Sequence, residues 1–167
     1  MAGSFRVINA NLFPDGVSVS PDGTVAYFAI GVGVQSYSIA TGALLGSFAL
    51  GGGPDGTGVI SGGPLNGRVV VNDNNGTVVL LDPSRPVGDP GRSIVIASGG
   101  TRGDFVSPDT SNGTLFLSQN EQVARLSCGP GCSIGSVGPE VPEPTTLAMM
   151  SGAMIALALL KRAALRV

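Results

Sequence analysis

Three stretches, Gly23-Thr-Val-Ala-Tyr27, Gly67-Arg-Val-Val-Val71 and Gly113-Thr-Leu-Phe-Leu117, superimpose when the 167-residue chain is laid on itself, at offsets of 44 and 46 residues. Each joins a Gly to a run of β-branched, aromatic or aliphatic residues, the composition of a strand leaving a tight turn. Upstream of each lies a second matching run, at Asp15–Ser20, Asp55–Ser61 and Arg102–Ser107. Downstream, Val34–Ile39, Thr77–Leu81 and Gln122–Leu126 supply a third strand, and Leu44–Leu50, Ser93–Ala97 and Ser133–Val137 a fourth. Four short strands recurring about every 45 residues predict small twisted sheets that bury their faces against one another.

Turn chemistry agrees with this count. Pro21-Asp22-Gly23 and the Asn-Gly pairs at 66–67, 75–76 and 112–113 fall between apolar runs, where a hairpin needs φ > 0. Val69–Val71 and Val78–Leu81 do not alternate, which suits strands covered on both faces. Asp82–Arg92, with three Pro and two Gly, predicts a surface loop before an outer strand. The expected fold is all-β, a partial β-propeller of three four-stranded blades at 13–50, 54–98 and 101–137.

Composition removes several functions. With no His, imidazole acid/base chemistry, His-dependent triads and His-ligated metals are excluded. Nine basic residues against eleven acidic ones lack the cationic footprint that phosphate backbones demand, so nucleic acid is not an expected partner. At 43% hydrophobic and a mean hydropathy of +0.36 the chain is too apolar for disorder. Charge is also divided: residues 1–144 hold six Arg and all eleven acids, net −5, whereas Lys161, Arg162 and Arg166 make the remainder +3. An acidic body and a basic end suit an exported domain followed by a cytoplasmic stop.

Pro14-Asp-Gly-Val-Ser-Val-Ser-Pro-Asp-Gly23, followed by Val34-Gln-Ser-Tyr-Ser-Ile-Ala-Thr-Gly42, resembles the repeat of six- or seven-bladed propellers of the NHL, YVTN and gluconolactonase-like group. The likeness covers residues 13–137 and implies a propeller of which this stretch is half or less. Ser4–Ala10 looks like the outer strand of an earlier blade, so the strand arithmetic predicts an N-terminally truncated product. A compact three-sheet fold or a self-assembling fragment is the alternative. Either way, three sheets without closure are expected to leave two apolar faces bare.

Residues 138–144 read as a linker and 145–167 as a membrane anchor and sorting signal. Leu147–Leu160 are fourteen residues without a charge, sixteen counted from Thr145. Sixteen helical residues reach roughly 24 Å against a ~30 Å hydrocarbon core, so the helix spans with thinning and with Lys161 and Arg162 snorkelling. A buried core helix is the competing reading. The order Pro142-Glu143-Pro144, apolar helix, Lys161-Arg162 resembles the PEP-CTERM sorting signal of Gram-negative bacteria. That resemblance implies processing by exosortase, a membrane-embedded protease, after export, commonly in organisms that make extracellular polysaccharide. Met1–Ala10 shows no signal peptide, which fits the expected truncation.

Weaker features stand beside these. Cys128 and Cys132 flank Gly-Pro-Gly and suit either a small disulfide in an oxidising compartment or free thiols; a metal would need two further ligands. Asp73-Asn74-Asn75-Gly76 looks like a calcium loop, but position 1 would fall on Val71, so a hairpin is expected. Arg102-Gly103-Asp104 aligns with Asp15-Gly16 and Asp55-Gly56 and is expected to be a turn into a blade. The gluconolactonase-like resemblance implies a metal held by Glu and Asn/Asp. The one Glu of the body, Glu121, lies in an expected hairpin, and neither a catalytic set nor a metal or other cofactor site can be assigned. The expected function is therefore a non-enzymatic binding or structural module at the cell surface or outside the cell, linked to extracellular polysaccharide. The alternative is a metal-dependent gluconolactonase-like hydrolase.

Overall fold

All three repeat glycines sit where a hairpin requires them, with φ of 73° at Gly23, 79° at Gly67 and 69° at Gly113, each just before the second strand of its sheet. The computed structural model describes residues 7–8, 12–109 and 113–127, all within the first of the chain's two units, 1–137 and 138–167. Eleven strands follow: β1 Val17–Val19, β2 Val25–Ile30, β3 Gly33–Ser38, β4 Leu44–Ala49, β5 Pro54–Val59, β6 Val69–Asp73, β7 Val78–Leu81, β8 Ser93–Ala97, β9 Gly103–Asp109, β10 Thr114–Gln119 and β11 Gln122–Ser127. They form three antiparallel meanders, β1–β4, β5–β8 and β9–β11, the third with three strands among the described residues. Most of Ser4–Ala10 and all of Ser133–Val137 lie outside the described residues.

The sheets stack through their inner strands, β1 and β2 against β5, then β5 and β6 against β9. Successive inner strands approach closely because glycine permits it. A Cβ on Gly16 would collide with the carbonyl oxygen of Asp55, and one on Gly56 with that of Asp104. Between sheets one and two, Tyr27, Val34 and Phe48 pack on Val69, Val71 and Leu81. Between sheets two and three, Ile60, Val70 and Val78 pack on Leu115 and Leu117. Val69–Val71 are thus buried on both faces, as their unbroken apolar run predicts.

One register departs from the sequence alignment. Counted from their glycines, Tyr27, Val71 and Leu117 are equivalent. Val71 and Leu117 face the preceding sheet, but Tyr27 faces the following one. The first residue paired after the turn is Val25, with Ser20, two places after its glycine, but Arg68, with Ile60, and Thr114, with Asp109, one place after theirs. The glycine-to-strand offset therefore slips by one residue, and one residue exchanges the faces.

The Asp82–Arg92 segment is a loop ending in a short 3-10 turn at Pro90–Arg92, capped by Asp89, which accepts from the Gly91 N–H at 2.7 Å. Its first residue, Asp82, is buried. Burial raises the pKa of its carboxyl, but the Ser84 hydroxyl and N–H, the Arg85 guanidinium and the charge of Arg68 outweigh this and hold it below the ordinary value. Arg92 then lies 4.2 Å over the ring of Phe48, tying this loop of sheet two to the outer strand of sheet one.

Candidate functional site

An acidic residue precedes the close-approach position of every inner strand: Asp15 before Gly16, Asp55 before Gly56 and Asp104 before Phe105. The three converge on one cavity of about 360 Å³ at the ends of the inner strands. The Gly56 contact with Asp104 repeats the Gly16 contact with Asp55, which makes Asp104, not the residues before it, the counterpart of Asp55. This corrects the sequence alignment of Arg102-Gly103 with Asp15-Gly16 and Asp55-Gly56. The β5–β6 register is irregular between Pro54 and Gly56 and the β9–β10 register between Leu117 and Gln119, so Asp55 and Asp104 both stand at an irregularity of their ladder.

The rest of the lining is polar too: Arg102, Ser118, Gln119 and Asn120. Arg102 reaches back to sheet two, where Nη2 lies 3.3 Å from Asp55 Oδ2 and Nε donates to Asn74 Oδ1 at 3.0 Å. Its side chain is 67% exposed, so the pair is solvent-screened and orients more than it stabilises. Gln119 is buried; its Oε1 accepts from the Thr101 N–H at 3.1 Å and from Gln122 Nε2 at 2.9 Å. Behind it, fully buried Asn72 accepts from Gln119 Nε2 at 3.4 Å and donates to the Ser118 carbonyl at 2.9 Å. A satisfied amide network of this kind holds the cavity wall in one geometry.

Chemically, the site gathers carboxylates, amides, a hydroxyl and one guanidinium, all hydrogen-bonding groups. Among the described residues no three Asp, Glu, His or Cys side chains are placed to hold a metal ion. Glu121 is exposed in the β10–β11 turn, as expected. Asp73–Gly76 is a hairpin turn: Gly76, at φ 79°, donates its N–H to the Asp73 carbonyl at 3.0 Å. The sorting residues Pro142, Glu143 and Pro144, the stop Lys161 and Arg162, the apolar run Leu147–Leu160, and Cys128 and Cys132 all lie outside the described residues. Among the described residues no helix is long and apolar enough to cross a membrane. Sequence reasoning missed the convergence of the three Asp side chains, although the recurrence of Asp ahead of each inner strand was its visible signal.

No family model matches the chain, and no curated protein matches it. Solved structures do. The Kuenenia stuttgartiensis hydrazine synthase superimposes with a TM-score of 0.58 over 76% of this chain and 36% of its own, at 16% identity. A dihydro-heme d1 dehydrogenase, NirN, aligns at 0.46 (18% identity; 69% of this chain, 28% of its own), and a glucose dehydrogenase at 0.45 (15%; 70% and 40%). These neighbours are β-propeller-type folds. The body is propeller-like. It consists of three antiparallel sheets in succession, and the chain spans about a third of the hydrazine synthase that it matches.

Proposed function

We propose that the chain is an exported, exosortase-processed surface or extracellular protein of a Gram-negative bacterium. Its propeller-like body acts as a non-enzymatic binding module for extracellular polysaccharide. The observation that carries the binding role is the predominantly polar cavity to which each sheet contributes an Asp. Hydroxyl-rich ligands are recognised by such planar carboxylate and amide groups held on rigid strands. Export and processing rest on the order Pro142-Glu143-Pro144, Leu147–Leu160, Lys161-Arg162. The two prolines keep Glu143 in extended backbone that a protease groove can take.

Two measurements test this. Expressed behind a working signal peptide in a host with exosortase, the protein should lose residues from about the Pro-Glu-Pro element onward, a position set by the resemblance. The triple change Pro142→Ala, Glu143→Ala, Pro144→Ala should leave an uncleaved, membrane-held form. The purified protein should retain extracellular polysaccharide, and Asp55→Ala should weaken that retention. Lactone hydrolysis on addition of Ca²⁺ or Zn²⁺, without polysaccharide binding, would instead support the hydrolase reading.

A further inference from the structure

The two close approaches that stack this fold each use a glycine, Gly16 and Gly56, against the backbone of the next inner strand. At the corresponding place on β9 stands Phe105, 69% exposed. A further sheet approaching β9 as β5 approaches β1 would meet the Phe105 side chain where β5 meets only a glycine. The same obstacle meets the first blade of a second copy trying to complete a ring head to tail.

What β9–β11 present instead is a face one side chain deep. Phe116 lies opposite Ser107 on β9 and Arg125 on β11, and Ser118 lies opposite Val123. Strand alternation puts Phe105 on this face beside Ser107. Val123 is 74% exposed and Phe116 39%. The face therefore has one row of Ser118 and Val123, with Phe105 beside Ser118 at the β9 irregularity, and a second of Ser107, Phe116 and Arg125.

We infer that this face pairs with the same face of a second copy, about a twofold axis running parallel to β10. That axis lays Phe105 on Val123 of the other copy, Phe116 on Phe116, and Arg125 opposite Ser107, so apolar meets apolar and no like charges are opposed. Self-complementarity of this kind is what an isologous dimer requires, and two sheet faces separated by their side chains are a normal packing. The patch measures about 14 Å by 20 Å from strand spacing and length. That is small beside stable dimer interfaces, so the pair is reversible and its population rises with concentration.

Sedimentation velocity of the full chain in a mild detergent, over a concentration series, tests it. A dimer is expected, weakened about tenfold or more by Phe105→Ser and by Val123→Lys and unchanged by Val17→Ser with Val19→Ser on β1. A monomer at every concentration overturns the inference. So does a dimer indifferent to both Phe105 and Val123, or one that the Val17 and Val19 changes dissociate, since the latter would be head to tail. Should Phe105→Ser lower the melting temperature, Val123→Lys decides, its position being exposed. Neither result depends on export or polysaccharide binding.

Discussion

Asn72 and Asp73 are neighbours on β6, yet they face opposite junctions and fare differently. Asn72 points to sheet three, where Ser118 and Gln119 satisfy its amide. Asp73, on the side of Val69 and Val71, is equally buried, but only its Oδ2 is engaged, by the Thr77 hydroxyl at 3.0 Å. Its Oδ1 has no hydrogen-bond partner among the described residues. The first junction is an apolar and aromatic seam with a polar flaw; the second is a smaller apolar seam with a satisfied polar lock. Both rely on a glycine for close approach, so stacking geometry is shared and only the cement differs.

The largest effect should come from that shared geometry. Gly56→Ala drives a methyl into the Asp104 carbonyl and should cost about 4 kcal/mol or more, enough to blur cooperative unfolding in a denaturant titration. An unaffected melt would mean that the blades slide apart freely. Phe48→Ala, which empties the first seam and removes the platform for Arg92, should cost about 3 kcal/mol by the same titration. Asn72→Ala should cost about 2 kcal/mol, since it strands Gln119 and the Ser118 carbonyl; a neutral result would show that the second junction does not need its lock.

Asp73 sharpens the contrast through pH. Burial pushes its carboxyl above the ordinary carboxylate value, and the Thr77 hydrogen bond only partly opposes this. The unfolded chain releases that proton at lower pH, so folding loses stability as pH rises from the ordinary value through the folded one. Asp73→Asn should abolish this loss, raising the melting temperature above that window and not below it. Smallest of all, Arg102→Ala at its exposed bridge should change stability by no more than about 0.5 kcal/mol.

Much of the fold was legible in residues 13–127. The Gly-anchored repeats, the strand order and the loop at Asp82–Arg92 follow from local turn chemistry and apolar runs, which act through near neighbours. Ser93–Ala97 and Leu44–Ala49 lie where the pattern placed them. The candidate site was legible only in outline. Asp15, Asp55 and Asp104 recur visibly ahead of their inner strands, but that they line one cavity follows only from the stacking of those strands.

The sequence by itself determined that the body is a series of small antiparallel sheets, because strand length, hairpin glycines and covered middle strands are all written within each repeat. Only the tertiary structure decided which way each strand faces. Tyr27 and Val71 share a place relative to their glycines and point to opposite sides, because a strand's facing is set by what buries it and a one-residue slip costs nothing locally. The same holds for Phe105. In the chain it is one more apolar residue, and that it stands where the other inner strands have glycine shows only once Gly16 and Gly56 are seen pressed against the next strand.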